Sequence, residues 1–82
     1  MIMKKKILLL GSTGSIGKSS LNIIRSYQSK LEIVALSTNK NVRLIIKQSK
    51  EFGVKNLIIN DFQSYKKILN YGLNKKIRIF NN

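Results

Sequence analysis

Four short apolar runs punctuate the chain: Ile7 to Leu10, Ile33 to Leu36, Leu57 to Ile59, and Ile77 to Phe80. The first three are continuous rather than alternating, the pattern of parallel strands covered on both faces. Between the runs, apolar residues recur at helical spacing. Ile16, Leu21, Ile23, Ile24 and Tyr27 make one broad face, with Lys18, Asn22, Arg25 and Ser26 mostly outside it. Val42, Ile45, Ile46 and Phe52 make a second face, interrupted by Ser49. Phe62, Tyr65, Ile68 and Leu69 make a third, with Asp61 near its start, where a carboxylate suits a helix N-terminus. Gly53 is placed to end the second helix, and Gly72 falls near the end of the third.

The order is strand-helix-strand-helix-strand-helix-strand. Such alternation argues for right-handed crossovers and a parallel sheet. The expected class is α/β, a Rossmann-like parallel sheet of four strands and three helices. Taken as doubly wound, that is about half of a dinucleotide-binding domain. Residues 1–82 are therefore expected to be the N-terminal part of such a domain, without catalytic or C-terminal domains. At 82 residues the chain lies near the lower limit for a self-sufficient core.

Composition narrows the chemistry. There is no cysteine or histidine, which removes thiolate metal sites, disulfides and the usual neutral-pH acid/base group. Only Glu32, Glu51 and Asp61 are acidic, and they are widely spaced. A hydrolytic or metal-dependent centre built from these residues alone is not expected. The apolar stretch after Lys4 to Lys6 is too short for a secretion signal or a membrane span. A soluble, cytoplasmic chain without membrane contact is the expectation. The net charge of +13 raises nucleic-acid binding as an alternative, but the lysines are spread over every segment and no aromatics alternate with them. Ile, Lys and Asn are abundant together, as A/T-rich codons would make them. No nucleic-acid partner is expected.

The sharpest local signal is "LLLGSTGSIGKSS", Leu8 to Ser20. Gly17-Lys18-Ser19 resembles the end of a nucleoside-triphosphate P-loop, G-x-x-x-x-G-K-[ST]. Counting back from Gly17 puts Ser12 where the first glycine belongs, and Gly11 is one residue too early. Asp61 also falls one residue late for a magnesium-binding acid after the third strand. The dinucleotide reading fits better. Gly11 makes the tight turn out of the first strand, and Gly14 lets backbone approach the pyrophosphate at the helix N-terminus. Gly17 allows close packing of the helix on the sheet. The hydroxyls of Ser12, Thr13 and Ser15 add donors beside that phosphate. A P-loop-like module stays open as the alternative.

An NAD-binding turn usually carries Asp or Glu at the end of the second strand. Here "LSTNKN", Leu36 to Asn41, has none, and no acid occurs from Ile33 to Lys50. Lys40 stands where a 2′-phosphate would lie, and a cation there favours the extra phosphate. NADP is preferred over NAD.

"LLGSTGSIGKSSLNIIR" followed by "VALSTNKNV" closely resembles the N-terminus of 1-deoxy-D-xylulose 5-phosphate reductoisomerase, a family of the non-mevalonate route to isoprenoids. The likeness weakens after about Phe52. The resemblance implies an NADPH-dependent oxidoreductase. It implies that Thr13, Gly14, Ser15 and Ile16 contact the cofactor around the pyrophosphate and nicotinamide end. Lys40 and Asn41 are implied to lie at the adenosine 2′-phosphate. The sequence departs at Asn39, where the family often has Gly. Asn tolerates left-handed backbone better than most residues, so the turn is expected to survive with weaker geometry. The family reaction rearranges 1-deoxy-D-xylulose 5-phosphate and reduces it with NADPH to 2-C-methyl-D-erythritol 4-phosphate. It uses a divalent metal, magnesium or manganese, and the full-length family is implied to be homodimeric. The metal and substrate ligands match nothing here, so no catalytic residue is assigned, and these 82 residues alone are not expected to be catalytically competent.

Overall fold

A computed structural model describes residues 3–82. The elements follow the expected order: β1 (Lys5–Leu9), α1 (Ser15–Arg25), β2 (Leu31–Thr38), α2 (Val42–Phe52), β3 (Asn56–Ile59), α3 (Phe62–Leu69) and β4 (Arg78–Asn81). All strand pairings are parallel. The chain therefore has the α/β, Rossmann-like sheet that the alternation predicts.

The winding is that of one half of a doubly wound sheet. The strand order is β1-β2-β3-β4, so each crossover steps the same way and β4 lies beside β3. In a doubly wound sheet a later crossover would return past β1 and create a switch point. Among the described residues there is no such reversal. Right-handed crossovers that all step one way put their helices on one face. Leu21 and Ile24 of α1, Ile45 and Ile46 of α2, and Ile68 of α3 accordingly join Ile33, Leu36, Leu57 and Ile59 of the sheet in a single core cluster. Leu36, Ile45, Leu57 and Ile59 have no exposed surface. Burying a side chain of this size contributes about 2 kcal/mol relative to leaving it in water.

The opposite face is uncovered, which corrects the reading of the apolar runs as strands buried on both sides. In β1 the side chain of Leu8 is 55 % exposed, and Phe80 of β4 is exposed as well. The apolar helix faces are also narrower than their periodicity suggests. On α1, Leu21 and Ile24 are buried, but Ile16, Ile23 and the following Tyr27 are exposed. On α3, Ile68 is buried while Phe62 and Leu69 are exposed.

Local chemistry explains the helix boundaries. Asn41 caps α2 by accepting from the Leu44 N–H at 3.2 Å, and Gly53 ends it with φ +66°. That left-handed conformation is open to glycine at little cost. Ser49, which interrupts the second apolar stripe, is buried and donates to the Val54 carbonyl at 2.6 Å, which satisfies it. Asp61 caps α3 as its position predicts.

Candidate functional site

β1 ends at Leu9, and the chain turns out of the sheet at Gly11, whose φ is +67°. The loop that follows is tied down by β2. The Gly11 N–H donates to the Ser37 hydroxyl at 2.8 Å, and the Ser12 N–H donates to the Ser37 carbonyl at 2.9 Å. The hydroxyls of Thr13 and Thr38 are 2.6 Å apart. From α2, Gln48 completes the hold. Its Oε1 accepts from the Ser12 hydroxyl at 2.8 Å, and its Nε2 donates to the Ser12 carbonyl at 2.9 Å. Ser12 is fully buried, so its hydroxyl faces the protein rather than a ligand. That corrects its place among the donors beside the phosphate.

The three glycines do three different jobs. Gly11 supplies the positive φ of the turn. Gly17 lets the first turn of α1 rest on the loop: a Cβ there would lie 2.2 Å from the Gly11 carbonyl oxygen and 2.6 Å from Ser12 Cα. The close approach is thus to the loop leaving β1, where the sequence suggested the sheet. Gly14 has ordinary extended backbone, and a Cβ on it would make only a normal contact, 3.6 Å from the Gly11 oxygen. Its bareness serves the open side. There, Gly11, Gly14, Ser15, Ile16 and Gly17, with Leu9 and Leu10, line a shallow cleft of about 440 Å³.

Gly14 is also the N-cap of α1, and no side chain caps this helix. The first intrahelical donor is Lys18, to the Gly14 carbonyl at 2.9 Å. The N–H groups of Thr13, Ser15, Ile16 and Gly17 find no acceptor among the described residues. Four free donors around the positive end of a helix dipole, interrupted only by the Gly14 N–H that donates to the Gly11 carbonyl at 3.2 Å, suit an anion such as a pyrophosphate. Ile16 is 84 % exposed at the cleft, so it is free of any core role. Lys18 does not line this cleft. It lines the groove between α1 and α2, near the Arg25–Glu51 ion pair, and a P-loop lysine would have to reach the phosphates instead.

The turn after β2 stands beside the loop through the Thr13–Thr38 contact. Asn39 and Lys40 form an exposed bend, and Asn41 starts α2. No residue other than glycine has positive φ among the described residues, so Asn39 does not adopt the left-handed backbone the sequence comparison suggested. Instead its carbonyl accepts from the Asp61 N–H at 3.1 Å, which fixes the bend against the end of β3. The Asn41 side-chain oxygen is committed to its cap, and its Nδ2 has no acceptor among the described residues. Asp61 is the acid closest to this turn. The hydroxyl and N–H of Ser64 both donate to it, at 2.7 and 3.0 Å, and hold its carboxyl below the usual range; Lys40 and Lys67 add smaller pulls.

The structure thus brings Gly11, Thr13, Gly14, Ser15, Ile16 and Gly17 to one loop and cleft, with Asn39, Lys40 and Asn41 on the adjoining turn. Gln48 went unnoticed in the sequence. Its signal was a polar residue three positions after Ile45 and next to Ser49, on the side of α2 that faces the core. Ser37 and Thr38 point inward and hold the loop.

Sequence and fold both show similarity to one family. The profile of the family described as 1-deoxy-D-xylulose 5-phosphate reductoisomerase matches residues 7–80. The reductoisomerase of Pelagibacter ubique (strain HTCC1062) is 46% identical over 78 residues, 95% of this chain and 20% of that protein. That of Caldanaerobacter subterraneus subsp. tengcongensis is 44% identical over 64 residues, 78% of this chain and 17% of that protein. The chain spans about a fifth of the length of these relatives. Among solved structures, the Zymomonas mobilis reductoisomerase in complex with NADPH superposes with a TM-score of 0.88 at 25% identity, covering 98% of this chain and 21% of that one. A reductoisomerase in complex with NADPH, fosmidomycin and magnesium gives 0.78 at 28% identity, covering 95% of this chain and 19% of that one.

Proposed function

The chain belongs to the 1-deoxy-D-xylulose 5-phosphate reductoisomerase family, and from that membership we propose that residues 1–82 are the N-terminal part of its NADPH-binding domain. The observation that carries this reading is the uncapped start of α1 behind the Gly11–Gly17 loop, beside a turn whose cation is Lys40. In this reading the pyrophosphate sits on the free N–H groups of Thr13, Ser15, Ile16 and Gly17, where Gly14 leaves it room. Ile16 offers an apolar contact further along the cofactor. Lys40 and the free Nδ2 of Asn41 donate to the adenosine 2′-phosphate, and Asn39 shapes that bend.

The bound cofactor supplies a hydride. In the complete protein, that hydride reduces the product of a rearrangement of 1-deoxy-D-xylulose 5-phosphate, giving 2-C-methyl-D-erythritol 4-phosphate for isoprenoid synthesis. The share of these residues is to bind and orient one end of NADPH. Magnesium, present in a solved relative, does not fit the donors here. Among the described residues no group of three or more His, Cys, Asp or Glu comes together. No metal-dependent step is assigned to them.

The test is thermal stability of the purified chain with NADPH, NADH and Mg-ATP. A ligand that binds only the folded state raises the melting temperature. The expected result is a shift with NADPH well above that with NADH, abolished by Lys40→Glu. A shift with Mg-ATP alone would replace this reading with a P-loop-like one. Equal shifts with NADPH and NADH would remove Lys40 from the 2′-phosphate.

A further inference from the structure

Gln48 is a polar side chain in the core of α2, 5 % exposed, and it spends both ends of its amide on a single residue of the loop. That is an unusual investment for an interior position. A buried amide must satisfy its donor and acceptor, and an apolar residue would fill the place at no such cost. The amide meets Ser12, which is itself fully buried and bound through its N–H to Ser37. Ser12 sits between Gly11, which makes the turn, and Thr13, whose N–H is one of the free donors. The same helix begins at Asn41, two turns before Gln48, directly after the Lys40 bend. One rigid element therefore carries the 2′-phosphate turn at its tip and holds the pyrophosphate loop from its side.

We infer that Gln48 is a positioning residue that couples the two halves of the cofactor site, fixing the loop at Ser12 relative to the turn at Lys40. The inference rests on the NADPH reading of the site, and it adds a residue that touches no cofactor atom. A dinucleotide phosphate engages both half-sites at once. Its affinity therefore depends on their separation being set beforehand, as in any bivalent ligand. Without the amide, each half-site persists while the loop moves against α2. A ligand that needs only one half-site is indifferent to that motion.

The experiment compares the chain with Gln48→Met, similar in volume and unable to form either bond, at a temperature where circular dichroism shows both folded. NADPH probes both half-sites, and 2′-AMP probes the Lys40 turn alone. The expected result is a dissociation constant for NADPH raised about tenfold, as the loss of two modest hydrogen bonds implies, with that for 2′-AMP unchanged. An unchanged NADPH constant overturns the inference. So does a parallel loss for both ligands, which marks general loosening.

Amide exchange without ligand gives a second reading. Exchange at Gly11 and Ser12 should rise in Gln48→Met while α3 is unaffected, and no change at those two amides rejects the coupling. If the unsubstituted chain binds no NADPH, the cofactor reading falls, and the exchange experiment still decides whether Gln48 holds the loop. If Gln48→Met does not fold, Gln48→Glu takes its place, with acid-stable NADP+ as ligand. A protonated carboxyl can donate to the Ser12 carbonyl as the amide does, and an ionised one cannot. Affinity should then recover as pH falls, relative to the unsubstituted chain; a flat ratio rejects the inference.

Discussion

α3 begins at Asp61, whose carboxylate accepts from the N–H and hydroxyl of Ser64, and α2 begins at Asn41, which caps Leu44. α1 begins at Gly14, which has no side chain to offer, and its first N–H groups are left without acceptors among the described residues. The three helices are similar in length and amphipathic character, and each crosses between parallel strands. They differ in who satisfies the N-terminal donors. A helix that supplies its own cap is electrostatically closed, because the carboxylate or amide oxygen already occupies the place of an anion. A helix that begins at glycine instead gives up roughly a few tenths of a kcal/mol of its own stability. It keeps that end available to a phosphate. The contrast sets the start of α1 apart, as the proposed ligand end, more sharply than the basic composition, which is spread over every element.

The largest expected effect comes from spoiling the close approach that holds α1 behind its loop. Gly17→Ala puts a methyl carbon at 2.2 Å from a carbonyl oxygen, and neither backbone can yield cheaply. We expect a loss of about 3 kcal/mol in urea unfolding, the upper part of the usual overpacking range, together with loss of NADPH binding. Retention of both would mean that the loop and helix part easily.

A subtler change makes α1 resemble α3. Gly14→Asp meets no steric barrier, since the backbone is extended and the contact to Gly11 is ordinary. The new carboxylate would cap the helix and fill the cleft with negative charge. Folding stability should rise by roughly a few tenths of a kcal/mol, while NADPH affinity falls at least about tenfold, or 1.4 kcal/mol. Stability and binding moving in the same direction would sink the account of a withheld cap.

The smallest effect concerns α3 itself. The Ser64 bonds hold the Asp61 carboxyl below its ordinary value of 3.8 in the folded chain. A depressed carboxyl contributes stability above its unfolded pKa and loses it as pH falls through the folded one. Melting temperature should therefore decline as pH drops below the ordinary carboxylate range, and less steeply in Asp61→Asn. Identical acid profiles for the two chains would remove Asp61 from the balance. Asp61→Asn also removes a negative charge beside Lys40, so NADPH affinity at neutral pH should not fall in the variant.

Much of this was legible in the residues. The apolar runs at Ile7, Ile33, Leu57 and Ile77 marked the strands, and Asp61 marked a helix start. The spacing of Gly11, Gly14 and Gly17, with no acid after β2, pointed to a phosphate loop of NADP type. These signals are local: φ preference, cap chemistry and periodicity act within a few residues. The same local reading overextended where burial was concerned. Ile16, Ile23, Phe62 and Leu69 have the spacing of a core face and are exposed, because whether an apolar stripe is covered depends on what lies opposite. The relatives are about five times longer than these 82 residues.

What the sequence by itself determined is the alternation of elements, the family, and the glycines and lysine on which the cofactor reading rests. Only the tertiary structure decided that β4 lies beside β3, leaving one face of the sheet bare. It alone turned Ser37 and Thr38 inward and brought Gln48 under Ser12. Those contacts join residues 25 to 36 positions apart. Their existence depends on strand register and on the rotation of α2 over the sheet, which no periodicity within a single element encodes.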